Sequence, residues 1–487
     1  MWRWLSSAAL ASTILAGCGS SRPAARKDDA LAAPVALGAI PPEALKDPAA
    51  PLDPEIASLP HARGFWMTDE EYGRVYVVSV GPTRAPVEPT LFLVHGLGTN
   101  GMRDWYTVLA PLAEHRRVVM FDLPGFGRSA QANVKYGPAR YAAVLSRVIA
   151  RYGPGPVDVI GHSMGGAISL FHAASYPDQV RRLIVVDAAG ILHRDAWAAH
   201  HVRRVTDPAR IILPHVADIL GEAADLISDT SRILDPAPDI VMELGPLRQK
   251  LLGGKPERIA ALGLILQDFG PLIARIRAPT LVVWGGDDMI APLRTGLMLA
   301  DRLSDAQLVV FPGIGHQVMA QAPAQLVPQI EHHLTAPGTG PLRPPVVAGA
   351  SQGKGVCHGL ADLHLTGTYD SVEIEDCAGV VLDQVHTTSL VIRRSTASVV
   401  RSTFTAGIVS DASTLLITGG EIDGELALDI KDSKVDLAGV AIAARREPFR
   451  ATGQSRLLLS VCPVSTPDGS GFRHGFVNVP VGPSALQ

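Results

Sequence analysis

The sequence predicts an α/β architecture, a mostly parallel sheet covered by helices, followed by an all-β domain built as a right-handed parallel β-helix. Three observations carry this. Between residues 61 and 336 short β-branched runs alternate with helix-forming stretches, the pattern of βαβ units. Several of those runs end directly in polar residues, as strands do where an open parallel sheet meets its ligand. Beyond residue 350 helical periodicity stops, and short alternating strands recur with an uneven period near twenty residues, as stacked coils require. The 487 residues allow roughly two to four domains. With 47% hydrophobic and 18% charged residues and a mean hydropathy of +0.20, the chain is globular. Lys+Arg 43 against Asp+Glu 47, with no long basic run, excludes the electrostatic footprint of a nucleic-acid binder.

Taken in chain order, Arg3 and the apolar run from Leu5 to Ala16 have the charge-then-apolar order of a secretory signal, too short to span a bilayer as a helix. The run ends in Leu15-Ala16-Gly17-Cys18, which resembles the bacterial lipobox. That resemblance implies cleavage of residues 1–17 and lipidation of Cys18 as the mature N-terminus. Gly19 stands where an aspartate would signal inner-membrane retention, so the resemblance leans to the outer membrane of the cell envelope. Residues 18–60 carry prolines among alanines and charges without a sustained period. Frequent proline blocks helix and central strand, so the segment reads as a semi-extended tether.

Strands are expected at Val75–Val80, Thr90–Val94, Arg117–Phe121, Val157–Ile160, Leu183–Val186, Thr280–Val283 and Gln307–Val310. The sheet would then gather His95, Asp122, Ser163, Asp187, Asp288 and His316 at one edge. Gly161-His162-Ser163-Met164-Gly165 lies between one of these strands and a helix-forming stretch. Its glycines permit the strained turn that raises a serine hydroxyl above a sheet, and the helix start adds backbone N–H groups and positive dipole. A serine hydroxyl needs a base, and the base an orienting acid. His316 follows the last strand on a glycine-rich loop, and Asp287-Asp288 follows Trp284-Gly285-Gly286. Spacing alone leaves Asp287 and Asp288 both open.

The segments Leu93-Val94-His95-Gly96-Leu97-Gly98, Phe121-Asp122-Leu123-Pro124-Gly125-Phe126-Gly127-Arg128-Ser129, Gly161 to Gly166, Trp284 to Asp288 and Gly315-His316 together resemble the α/β-hydrolase superfamily, of the serine esterase and lipase type with a cap. The resemblance implies the order Ser163, Asp288, His316 as nucleophile, acid and base. It selects Asp288 over Asp287 and places the oxyanion hole at the amides of Leu97 and Met164. His95, Asp122, His162 and Asp187 are expected to shape loops or pack. No metal and no organic cofactor is implied. The insertion at about residues 191–272, with helix-forming stretches at Arg210–Ile227 and Ile259–Phe269, resembles a helical cap. Its runs Ile211-Ile212-Leu213 and Leu262-Gly263-Leu264-Ile265-Leu266 either line an apolar pocket or pack the cap onto the core.

After a linker at 337–350, the segment 351–487 is expected to form the β-helix, with a β-sandwich as the rival. A glycan or protein partner suits such a face, as does a spacer role. Cys357 and Cys377 are close to one coil apart and could stack and oxidise, whereas Cys462 could pair with either. The expected activity is hydrolysis of a small ester or lipid by an enzyme anchored to the membrane through Cys18. The alternatives are C–C bond hydrolysis or acyl transfer by the same residues, or an envelope binding protein with an idle hydrolase domain.

Overall fold

In the computed structural model, which describes residues 40–82, 88–153, 155–197, 237–335 and 349–477, the β-branched runs of the first half assemble into one nine-stranded sheet. Its strands are β1 (Ala49–Ala50), β2 (Arg63–Asp69), β3 (Gly73–Val80), β4 (Glu88–Val94), β5 (Arg116–Phe121), β6 (Val157–His162), β7 (Val180–Val186), β8 (Thr280–Gly285) and β9 (Ala306–Phe311). The spatial order is β1-β2-β3-β5-β4-β6-β7-β8-β9. Antiparallel pairing joins β1, β2, β3 and β5, and parallel pairing joins the rest. The seven expected strands are all present, each extended by a residue or more.

Alternation along the central strands feeds two cores. Phe92 and Val94 of β4, with Val159 of β6, belong to one buried cluster, and Leu91, Leu93 and Ile160 to another. Among the helices are α1 (Pro54–Ala57), α2 (Tyr106–Leu112), α3 (Pro138–Tyr152) and α4 (Met164–Ser175). In α3, Pro138 sits at the first turn, where its missing N–H costs nothing, and Tyr141, Leu145, Val148 and Tyr152 recur on the buried face. Each such side chain contributes about 1.5–3 kcal/mol on burial.

Residues 40–60 differ from the expected tether. Ala49 and Ala50 pair with β2, Tyr76 donates to the Pro51 carbonyl at 2.7 Å, and Arg151 donates to Asp47 at 2.6 Å. A proline-rich segment can dock in extended form because such backbone still offers its carbonyls. Cys18 and residues up to 39 lie outside the described residues. Among the described residues, no helix is long and apolar enough to cross a membrane.

Between β7 and β8 the described part of the insertion forms α5 (Ala237–Glu243), α6 (Gly245–Leu252), α7 (Pro256–Ile265) and α8 (Gly270–Ile273). The stretch Arg210–Ile227, with Ile211, Ile212 and Leu213, lies outside the described residues. Leu262 and Leu264 are buried in the main core cluster, so this run packs the insertion onto the core. Helices α9 (Leu293–Arg302), α10 (Val318–Gln321) and α11 (Pro323–Thr335) complete the first half.

Among the described residues, 354–476 form a strand-rich, all-β unit of fourteen strands, from β10 (Lys354–His358) onward. Its pairing is parallel, apart from the last hairpin of β22 (Arg456–Thr466) and β23 (Gly469–Phe476), in contrast to the antiparallel sheets of a sandwich. In one ladder Val372, Leu390, Ile408, Leu428 and Phe449 lie side by side, so the spacing between paired positions grows from 18 residues to 21. All five are buried. At one corner a serine ladder links successive strand segments. The amides of Cys377, Ser395 and Ser413 donate to the hydroxyls of Ser395, Ser413 and Ser433 at 2.9 to 3.1 Å. Each of the three hydroxyls then donates to the carbonyl two residues earlier, satisfying buried corner groups that strand pairing leaves over. Cys357 and Cys377 form a disulfide, and Cys462 is a buried free thiol.

The two halves share buried surface. Ala438, Leu458 and Val461 join the main core cluster of the first half. Arg294 of α9 donates to the Thr418 hydroxyl and to the carbonyls of Ile417 and Asp436, and pairs with the Asp436 carboxylate at 2.8 Å.

Candidate active site

The turn at Ser163 is dictated by lack of space. Ser163 has φ +55° and ψ -120°, a conformation that costs on the order of 1–3 kcal/mol and persists only where its surroundings enforce it. A Cβ on Gly165 would stand 2.2 Å from the Val94 carbonyl oxygen, and one on Gly161 the same distance from that of Gly165. Side chains at either position would force strand and helix apart. The Ser163 amide donates to Val186 at 2.9 Å and its carbonyl accepts from Ala189 at 3.2 Å, tying the turn to the end of β7.

Three polar side chains meet there, although they come from separate loops. His316 Nε2 is 2.9 Å from Ser163 Oγ, and His316 Nδ1 is 2.8 Å from Asp288 Oδ2. A carboxylate only accepts, so Nδ1 carries the hydrogen and Nε2 faces the hydroxyl as an acceptor. Asp288 Oδ1 accepts from the amides of Ile290 at 2.7 Å and Ala291 at 3.0 Å. Asp288 is buried, whereas its neighbour Asp287 is exposed. All three members of the chain are nearly closed to solvent, which strengthens each of these contacts.

The surrounding residues hold this chain in place. His162 Nε2 donates to the carbonyl of His316 at 2.8 Å, fixing the loop that carries the base. Burial, reinforced by the neighbouring His316, pushes the His162 ring down to about 4 and keeps it neutral. His95 Nε2 accepts from the Leu123 amide at 2.9 Å while Nδ1 donates to the Gly96 carbonyl at 2.8 Å. Both of its nitrogens are committed to loop structure. Asp122 accepts from the amides of Met102 at 2.9 Å and Arg128 at 2.8 Å, so it ties two loops together. Gly96 lies against the serine, since a Cβ there would be 3.0 Å from Ser163 Cβ. Leu97 follows it, and Met164 opens α4, where the first amides have no partner within the helix.

Asp187 is the residue whose surroundings differ most from the expectation of a loop-shaping side chain. It is fully buried, with φ +49° at the end of β7, and its Oδ1 accepts from the Gly285 amide at 2.8 Å. Burial and the charge of Asp288 together push its carboxyl well above the usual range. One ligand atom each of His162, Asp187 and His316 lies within 4.8 Å of the others. A metal ion held by these three would compete with the bonds His316 makes to Ser163 and Asp288, so the donor set does not suit one. The strand-end position of Asp187 was visible in the sequence, but its proximity to Asp288, 101 residues later, was not.

A model of the alpha/beta hydrolase family matches residues 91–330. The chain is 32% identical over 248 residues to 2-hydroxy-6-oxo-2,4-heptadienoate hydrolase of Pseudomonas putida, covering 47% of this chain and 83% of that protein. It is 31% identical over 251 residues to pimeloyl-[acyl-carrier protein] methyl ester esterase of Chromobacterium violaceum, covering 50% and 94%. With Lipase 1 of Psychrobacter immobilis it shares 29% identity over 276 residues, covering 55% and 81%.

Proposed function

From the premise that the chain belongs to the alpha/beta hydrolase family, we propose that it is a serine hydrolase cleaving carboxylic esters. The observation that carries the reading is the hydrogen-bonded chain from Ser163 through His316 to Asp288. Ser163 Oγ attacks the ester carbonyl while His316 Nε2 takes its proton, and Asp288 holds the imidazole tautomer and balances the imidazolium. The amides of Leu97 and Met164 receive the developing oxyanion, a contribution of about 10²–10³ in rate per donor. His316 returns the proton to the leaving alcohol, and water then hydrolyses the acyl-enzyme by the reverse sequence of transfers.

The test is a p-nitrophenyl ester series from short to long acyl chains, run beside labelling with a fluorophosphonate. Turnover on at least one chain length, with label on Ser163, is the expected result. An enzyme that neither turns over any ester nor takes the label is not a serine hydrolase. Likeness to the Pseudomonas putida hydrolase favours a second reading, C–C cleavage of a diketone by the same residues. Label on Ser163 without turnover of any ester would select it.

Cys18 is proposed as the lipid attachment point, holding the enzyme at the cell envelope with the outer membrane as its site. Cys18→Ser should move the protein from the membrane pellet to the soluble fraction. An unchanged distribution would overturn the anchor. The parallel ladders of residues 354–476 support reading that unit as a right-handed parallel β-helix.

A further inference from the structure

Asp187 and Asp288 are two carboxyl groups in one dry site, and their surroundings divide the roles between them. Asp288 accepts from the amides of Ile290 and Ala291 and from the ring N–H of His316. All three are donors and need lone pairs on the Asp288 oxygens to point at. Asp187 faces the amides of Gly285 and Val318 and contacts the Asp288 carboxyl. Its Oδ2 is buried, and no N–H reaches that oxygen with hydrogen-bond geometry among the described residues. A buried oxygen without a donor costs about 1–3 kcal/mol as an acceptor, and two carboxylates in contact cannot both be charged at little cost. Both difficulties vanish if Oδ2 carries a proton and points it at Asp288.

Resting on the reading of Asp288 as the acid beside His316, we propose that Asp187 is a neutral carboxylic acid whose O–H donates to the Asp288 carboxylate. It is a positioning residue for the chain Ser163–His316–Asp288. The titratable groups facing it are Asp288, His316 and His162. His162 is neutral, held to the His316 carbonyl, so the proton on Asp187 has Asp288 as its one charged acceptor. The hydrogen bond fixes the plane of the Asp288 carboxylate and draws off part of its charge. Without it Asp288 would hold the His316 imidazolium more strongly, and the base would lose its proton only at higher pH.

The test separates this from a packing role. In Asp187→Asn the side-chain amide can accept from Gly285 and still donate to Asp288, so kcat should stay within a few-fold of wild type and the acid limb of the kcat/KM profile should not move. In Asp187→Ala kcat should fall about tenfold, the value of one hydrogen bond to a charged group. KM should be little changed, and the acid limb should move up by about one pH unit. If Asp187→Asn is as damaged as Asp187→Ala, the residue acts as an anion and the proposal fails. If folded Asp187→Ala keeps the wild-type pH profile, the hydrogen bond is absent and the proposal fails. Infrared difference spectra at pH 8 give a readout that needs no activity. A protonated carboxyl stretch should disappear in Asp187→Asn and persist in Asp158→Asn, which removes another buried carboxyl. Its absence from wild type would overturn the proposal even in an active esterase, and its presence would sustain it even if ester turnover failed.

Discussion

Ser163→Ala is expected to lower kcat on a p-nitrophenyl ester by about 10⁴–10⁶ while the fold survives. The alanine removes only Oγ. The backbone turn is held by the Ser163 amide and carbonyl through Val186 and Ala189, and neither bond needs the side chain. Circular dichroism and melting temperature should therefore match wild type while turnover drops to what the rest of the site supports without the hydroxyl. A variant that kept more than about a hundredth of wild-type kcat would remove Ser163 as nucleophile.

Asp288→Asn is the second large effect, expected at about 10⁴ in kcat. An asparagine amide placed where Oδ2 now accepts from His316 Nδ1 would offer a donor instead. The ring would then carry its hydrogen on Nε2 and face Ser163 Oγ with the wrong tautomer. Asp287→Asn, on an exposed side chain one position earlier, should leave kcat within about twofold. Measuring both variants on one ester separates the neighbours directly. A large loss in Asp287→Asn with little loss in Asp288→Asn would reverse the assignment.

The parts of this site that could be read from sequence are those whose physical requirement is local. A strand, a turn with no room for Cβ and a helix start lie within Val157–Ser175, so Gly161-His162-Ser163-Met164-Gly165 announces itself. Asp287 and Asp288 share that local setting, and the family pattern was needed to prefer one. What distinguishes them is three-dimensional: the amides of Ile290 and Ala291 and the ring of His316 all converge on Asp288. Asp187 was visible as a polar strand end, yet the contact that changes its charge comes from the next strand's loop. The edge of the sheet was hidden for a different reason. Ala49–Ala50 is a two-residue strand among prolines, and Arg63–Asp69 mixes charges, glycine and aromatics, so neither shows a clean period of two. In the C-terminal half the spacing between paired strands drifts, which blurs any single repeat. The serines at 395, 413, 433 and 455 nevertheless mark the same corner four times over.

The insertion between β7 and β8 enters and leaves over one hairpin. Near its start, the His193 amide donates to Ser460 Oγ at 3.0 Å and the His193 ring lies 5.0 Å from that of His474. Near its end, His474 Nδ1 is 3.7 Å from Asp268, and a Cβ on Gly270 would stand 3.1 Å from Phe472 Cβ. Closing a loop is costly once, and doubling its length adds only about 0.6 kcal/mol. With both ends seated by β22 and β23, that closure is set from outside the insertion, by the C-terminal half. Between those ends Leu262 and Leu264 are buried in the main core cluster, so the later part of the span is held by the core as well. The C-terminal half thereby acts as a clasp on the hydrolase half, holding the two ends of the insertion against one hairpin.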